Sequence, residues 1–303
     1  MNKSFPRRAI AFSALLAVPI LTASVNRADA GQVCTPVFDA TLQPPGTNAK
    51  VTALHSFNGS IYAGGEFTQA GDVPVSYVAR WDGLQWSAMG GGMANEPGVT
   101  ATPQVAVIAV YNNHIYAGGF FTRADGQPAD HIARWTGSAW VPVGSGVNGV
   151  NGPIVAMAVY NNELYVAGQF SQAGGSAAAN VARWNGTTWT PLGPGLPGQG
   201  VSVLALVVHD GELYAGGNFV TANGVTFNRM ARWSGSSWAA VGNGFNQTVQ
   251  SLTVFSGQLI AGGTFTMSGT APISKIARWD GTTWSPLGTG ISGGVACLST
   301  FND

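Results

Sequence analysis

Apolar residues recur along this chain in short alternating runs, and the runs recur as a set. From Ile61 to Trp86 the chain reads IYAGGEFTQAGDVPVSYVARWDGLQW, and the same pattern starts again at Ile115, Leu164, Leu213 and Leu259. Each copy has an apolar run stopped by glycine, a second run ending in Ala-Arg-Trp, and another Trp five residues later. An apolar run such as Val51–Leu54 precedes each copy. Alternation places Ala79 and Trp81 on one side of a strand, Val78 and Arg80 on the other. Helical periodicity is absent beyond the first thirty residues.

These patterns predict four short antiparallel strands per copy: A (Val51–Leu54), B (Ile61–Gly64), C (Tyr77–Trp81) and D (Trp86–Met89). Asn58-Gly59 predicts a hairpin turn between A and B. Asp82-Gly83 turns C into D, and Thr136-Gly137, Asn185-Gly186, Ser234-Gly235 and Asp280-Gly281 stand at the same place. Glycine holds the second position throughout, as expected where φ is positive. Four-stranded units repeating about every fifty residues, each needing neighbours to cover both faces, predict an all-β fold, a β-propeller of five full blades. The repeats lie near 51–104, 105–153, 154–202, 203–248 and 249–294, within a propeller domain spanning 51–303.

Residues 295–303 match strand A, and Cys34–Phe38, in the lead-in 31–50, loosely match strand D. They are orphan strands or, together, a reduced sixth blade. The two cysteines, Cys34 and Cys297, fall in these two segments. In an exported chain an even pair suggests a disulfide that closes the ring. The alternative is a free thiol at Cys297, where the five repeats carry Ala53, Val107, Ala156, Ala205 and Ser251.

The strand A hydrophobics, the pairs Gly64-Gly65, Gly118-Gly119, Gly216-Gly217 and Gly262-Gly263, and the Trp opening strand D resemble the kelch and galactose-oxidase type of propeller repeat. The form "YAGG-F-T-AGG…ARWDG-W" is similar to that of secreted bacterial kelch-like repeat proteins. The resemblance covers about residues 51 to 294 and implies a binding scaffold. The third copy departs from it with Ala167-Gly168, and the C–D turn is shorter than in ordinary kelch repeats. The oxidase of that family needs a Tyr, His and Tyr-linked Cys site, which this chain does not match.

Residues 1–30 read as a cleaved signal peptide: Lys3, Arg7 and Arg8, an apolar run from Ala9, then Ala28-Asp29-Ala30. The expected location is secreted, periplasmic or cell-surface, with no stable membrane insertion after cleavage. Beyond residue 30 the chain carries nine Lys and Arg against twelve Asp and Glu, so it lacks the basic stripe that nucleic-acid binding needs. Its many glycines accompany aromatic and β-branched residues in register, which argues for tight turns rather than disorder. A monomer is expected.

Spacing within the repeat is constant, and length varies only between strand D and the next strand A. Trp86 stands 19 residues before Val105, whereas Trp284 stands 11 before Val295. The B–C connection keeps its length but changes its chemistry. Both connections emerge on one face of a propeller, which makes that face the candidate surface for a protein or glycan partner. Its distinctive groups are Asp72, Glu96, Arg123, Asp125, Asp130, His131, Asn180, Asn228, Arg229 and Lys275.

The paired Trp residues (Trp81/Trp86, Trp135/Trp140, Trp184/Trp189, Trp233/Trp238, Trp279/Trp284) are either packing between blades or platforms for sugars in a lectin with sites between blades. Arg80, Arg134, Arg183, Arg232 and Arg278 read as structural donors to carbonyls or partners of the recurring Phe, with no recurring acid to pair with. W-D-G-x-x-W segments faintly resemble sialidase Asp-boxes, but three copies replace the Asp, and a turn explains all five. The four His residues show no metal-ligand spacing, and no G-x-S-x-G, P-loop or carboxylate pair occurs. No cofactor, metal or catalytic residue is expected. An oxidase or glycosidase is the third reading, behind a binding scaffold and a lectin.

Overall fold

A computed structural model describes residues 46–144, 149–197, 200, 202–222 and 224–300. Each repeat forms one four-stranded antiparallel sheet in the order A–B–C–D. In the first blade the strands are Val51–Phe57, Ser60–Gly65, Val78–Trp81 and Trp86–Ala88. The A strands of successive blades (Val51–Phe57, Gln104–Tyr111, Ile154–Tyr160, Val203–His209, Val249–Phe255) lie side by side in chain order, so A is the inner strand and D the outer one.

Strand A is longer than its apolar run. It continues to a two-residue turn, where Phe57 pairs with Ser60. Asn58 (φ 47°) and Gly59 (φ 73°) are both left-handed, the twist that suits a two-residue hairpin. Asn112-Asn113, Asn161-Asn162, Asp210-Gly211 and Ser256-Gly257 turn the same way. The C–D turns have a common device as well. The side-chain oxygens of Asp82, Asn185 and Asp280 each accept two backbone N–H bonds from the turn at 2.7–2.9 Å, and Thr136 Oγ1 accepts from Ser138 N and Ala139 N at 3.4 and 3.1 Å. The position requires an oxygen acceptor rather than a charge.

The glycine pair ending strand B performs two separate packing tasks. The first glycine makes room for the next blade: a Cβ at Gly216 would lie 2.6 Å from Val249 Cγ1, and one at Gly118 would lie 2.5 Å from Met157 Cε. The second faces a bulge within its own sheet. Pairing slips between Val51 and Ala53, and again at the same place in the other four A strands. The bulge brings the carbonyl at the entry to strand A against Gly65, Gly119, Gly168, Gly217 and Gly263, where a Cβ would collide with Lys50, Gln104, Pro153, Ser202 and Thr248 oxygen.

All ten Trp residues are buried or partly buried. Each C-strand Trp pairs across strands with the D-strand Trp of its own blade, ring centroids 5.1–5.4 Å apart. The D-strand indole N–H then reaches back one blade: Trp140 to Met89 O (2.9 Å), Trp189 to Val143 O (3.4 Å), Trp238 to Leu192 O (3.3 Å) and Trp284 to Val241 O (3.1 Å). The Trp pair is therefore a joint between blades.

Past strand D, the described chain closes over its own blade. Met93 N, Val150 N, Leu196 N, Phe245 N and Ile291 N donate to the carbonyls of Ser76, Asp130, Ala179, Asn228 and Ser274. Met93, Val150, Leu196 and Phe245 are buried, and the glycine before each of the five permits the close approach.

Val295 and Leu298 pack over Gly262 as Val249 and Leu252 pack over Gly216, and Leu298 N donates to Ser251 Oγ at 2.9 Å. The end of the described chain thus takes the place of a sixth inner strand against blade 5. The entry segment behaves like a D–A connection: Thr47 bridges Ala70 as Val150 bridges Ala173. Blade 1 is covered less. Leu54 is 66% exposed, where Ile108 and Leu252 at the equivalent position are 6% and 8% exposed. Trp81 Nε1 is buried with no partner among the described residues. Cys297 is a free, exposed thiol, and Cys34 and the expected signal peptide lie outside the described residues.

Candidate functional site

The B–C connection of each blade folds into a small hairpin, Gln69–Ala70 with Val73–Pro74 in blade 1. The D–A connection of the preceding blade runs onto it, as in the pairing of Met93–Ala94 with Arg123–Ala124. The two connections share one face, as their spacing predicts. Asn48, Asn151 and Asn246 fasten it: each side-chain oxygen accepts two consecutive backbone N–H groups of the hairpin, at 2.8–3.0 Å.

The structure places the ten loop-face candidates in four kinds of surroundings. Asp72 is exposed at a hairpin tip. Glu96 and Arg123 meet: Arg123 Nη1 lies 2.7 Å from both Glu96 carboxylate oxygens, and the guanidinium also donates to Gly126 O. Asp125 is a clamp. Its Oδ1 accepts from Gly91 N (2.6 Å) and Gly92 N (3.1 Å), and its Oδ2 accepts from Trp140 N (2.6 Å).

The other six occupy the two residues just before strand C. His131, Asn180, Arg229 and Lys275 are left-handed, with φ of 62°, 68°, 71° and 69°, as is Tyr77 at 67°. Each of these four side chains bonds a backbone carbonyl: His131 Nδ1 to Gly119 O (3.2 Å), Asn180 Nδ2 to Leu196 O (2.8 Å), Arg229 Nη1 to Phe245 O (2.9 Å) and Lys275 Nζ to Thr264 O (2.9 Å). Burial pushes the His131 pKa below the usual histidine value, against the opposing hydrogen bond to Gly119 and the charge of Asp130. Asn228 Nδ2 donates to Asn243 O (3.0 Å), and Asp130 O accepts from Val150 N. These side chains brace a strained bend. The exposed variation lies instead at the hairpin tips, at Asp72, Gln127, Ser176, Val225 and Thr270.

A second kind of site lies between neighbouring blades, away from the B–C hairpins. One cavity of about 420 Å³ is lined by Tyr116, Arg134, Pro142, Val143, Gly144, Trp184, Gly186 and Thr187. Its counterpart two blades on, about 430 Å³, is lined in part by Glu212, Tyr214, Arg232, Trp279 and Thr282. In blades 1–4 the recurring Arg stands opposite the strand B Tyr, as Tyr116 pairs with Arg134, and in blade 5 Arg278 stands opposite Ile260.

The expectation that no acid recurs beside these Arg residues is corrected here. Arg183 bonds Glu163 Oε2 at 2.8 Å and Arg232 bonds Glu212 Oε2 at 2.7 Å, while Arg80 Nε donates to Ser60 Oγ at 3.0 Å. The partner always stands twenty residues earlier, at the first position of strand B or its neighbour. The aromatic neighbour in these blades is likewise the strand B Tyr rather than the Phe, Arg183 standing opposite Tyr165 and Arg232 opposite Tyr214.

Among the described residues no group of three metal-ligating side chains converges, and no helix is long and apolar enough to cross a membrane. A family model described as a domain of unknown function (DUF5122) beta-propeller matches residues 209–232, the A–B–C portion of blade 4. No curated protein matches. Among solved structures, the computationally designed Ika8 protein aligns with a TM-score of 0.51 at 17% identity, over 84% of this chain and 65% of its own length. This chain thus spans about two thirds of that protein, and the likeness concerns fold alone. Five A–B–C–D sheets, inner strands in sequence order, and a propeller-model match within blade 4 identify the chain as a β-propeller protein.

Proposed function

We propose that this protein is an exported, non-enzymatic propeller of the kelch-like kind that binds a macromolecular partner through its hairpin face. The observation carrying this reading is that the B–C hairpins share one strand pairing while the residues at and after their tips differ: Asp72 and Thr270 stand against Gly126, Gly175 and Gly224, followed by Val73, Gln127, Ser176, Val225 and Ala271. A rigid frame that presents unlike side chains in equivalent places suits recognition of a shaped surface. Support against catalysis is that Glu96, Arg123, Asp125, Arg229 and Lys275 are taken up with each other or with backbone. The lectin reading based on Trp platforms is weakened, because the indoles are engaged between blades.

The test replaces the tips together, Asp72→Ser, Gln127→Ser and Val225→Ser, and measures binding to extracellular surface extract by biolayer interferometry. Binding is expected to fall at least tenfold, while Leu84→Ser at a C–D turn leaves it unchanged. Equal binding by the tip variant, or loss with Leu84→Ser, would count against the hairpin face.

A further inference from the structure

The inter-blade clefts repeat with the blades, but their charge balance does not. In blades 3 and 4 the strand C guanidinium is neutralised within its own sheet, by Glu163 and Glu212. In blade 2 the residue at the glutamate position is His114, whose Nδ1 is engaged with Asn112 O at 2.7 Å. Arg134 stands opposite Tyr116 across the strand pair, and both line the cleft with Trp184 of the next blade. Arg134 has no carboxylate partner among the described residues, and it is the single charged residue lining its 420 Å³ cavity. The second cavity, in contrast, is lined by both Asp210 and Glu212.

The chain thus shows where a carboxylate sits on this guanidinium and omits it in blade 2, as it does in blades 1 and 5 with Ser60 and Gln258; of these three, it is the blade 2 guanidinium that lines one of the two cavities described above. The space is of the size of small-molecule sites. Thr187, Trp184 and the turn glycines Gly144 and Gly186 line the same cavity, and the Thr187 hydroxyl, which donates to Asn185 Oδ1, keeps acceptor capacity, a mixture that suits a hydroxyl-rich ring rather than an apolar acid. A half-buried guanidinium favours a charge-assisted bond to an oxyanion over water.

We propose that the cleft between blades 2 and 3 binds a sugar acid of the uronate class, its carboxylate taking on Arg134 the place that Glu163 and Glu212 take on Arg183 and Arg232. No covalent step is involved. The site is distinct from the hairpin face, because none of its lining residues belongs to a B–C hairpin.

The experiment titrates the purified full chain with glucuronate, with glucose as the neutral control, followed by calorimetry or ligand-observed NMR. Glucuronate is expected to bind with a Kd on the order of 1 mM, and glucose at least tenfold more weakly. The decisive variant is His114→Glu, which supplies the carboxylate internally. It is expected to fold with unchanged or higher Tm and to lose glucuronate binding at least tenfold. Arg134→Gln should lose binding as well, and if it fails to fold, His114→Glu still reads the site with the guanidinium in place. Absence of glucuronate binding to the parent chain at tens of millimolar, equal binding of glucose, or unchanged binding in His114→Glu would overturn the proposal.

Discussion

Replacing Gly119 with alanine is expected to abolish the cooperative native fold, or to cost at least about 3 kcal/mol if a folded state survives. The added Cβ would be driven into the Gln104 carbonyl oxygen, with Ala106 N at 2.9 Å and Gln104 C at 3.0 Å. All three contacts are backbone atoms of a bulge held by the same sheet, so no rotamer change can relieve them. The neighbouring substitution is the control. At Gly118 the nearest atom is Met157 Cε, the far end of a flexible side chain, followed by Ile154 Cγ2 at 2.9 Å. Gly118→Ala is therefore expected to cost roughly 1–2 kcal/mol. The third repeat carries the same distinction naturally, with Ala167 at the first position and Gly168 at the second. Urea denaturation of both variants, followed by far-ultraviolet circular dichroism, checks the contrast; comparable costs would remove the bulge argument.

Trp140→Ala is expected to destabilise by about 3–5 kcal/mol, a large share of a domain's total. Trp140 is 1% exposed, packs at a tilt against Trp135 with ring centroids 5.3 Å apart, and donates its indole N–H to Met89 O. Its loss opens a cavity and strips a buried carbonyl of its donor at the blade 1–blade 2 joint. Trp140→Phe keeps most of the volume and should cost about 1–2 kcal/mol less than alanine. Trp189, half-buried with a longer 3.4 Å bond, should tolerate alanine better. Thermal unfolding of the three variants gives the ranking. A Trp189→Ala cost equal to that of Trp140→Ala would show that the joints do not act through burial.

The strand order and the sharing of one face by the B–C and D–A connections follow from period and spacing alone, because alternation and turn glycines are local signals. Several features of the sites are not local. Glu163 and Glu212 stand just ahead of the segment that begins at Leu164 and Leu213, and they meet Arg183 and Arg232 only through B–C pairing. Chemistry also changes from copy to copy at that position, through Ser60, His114, Glu163, Glu212 and Gln258, so no repeated letter marks it. The left-handed bend before strand C is equally hidden. Tyr77, His131, Asn180, Arg229 and Lys275 share a conformation rather than a side chain, and varied polar chemistry there resembles a binding loop. One missed signal was legible: a glycine followed by a large apolar residue after each strand D, as in Gly195-Leu196 and Gly244-Phe245. It marks the close approach that seals the hairpin face.

The central claim is that what the copies share is scaffold, above all the ten Trp residues, and that recognition lies where the copies differ. Tryptophan fluorescence of the folded chain tests this most directly. Emission should be strongly blue-shifted from that of the urea-unfolded chain, with iodide quenching reduced several-fold, and neither should respond to neutral sugars. Native emission quenched as readily as the unfolded chain, or shifted on adding a neutral sugar, would place indole faces in solvent and contradict the account.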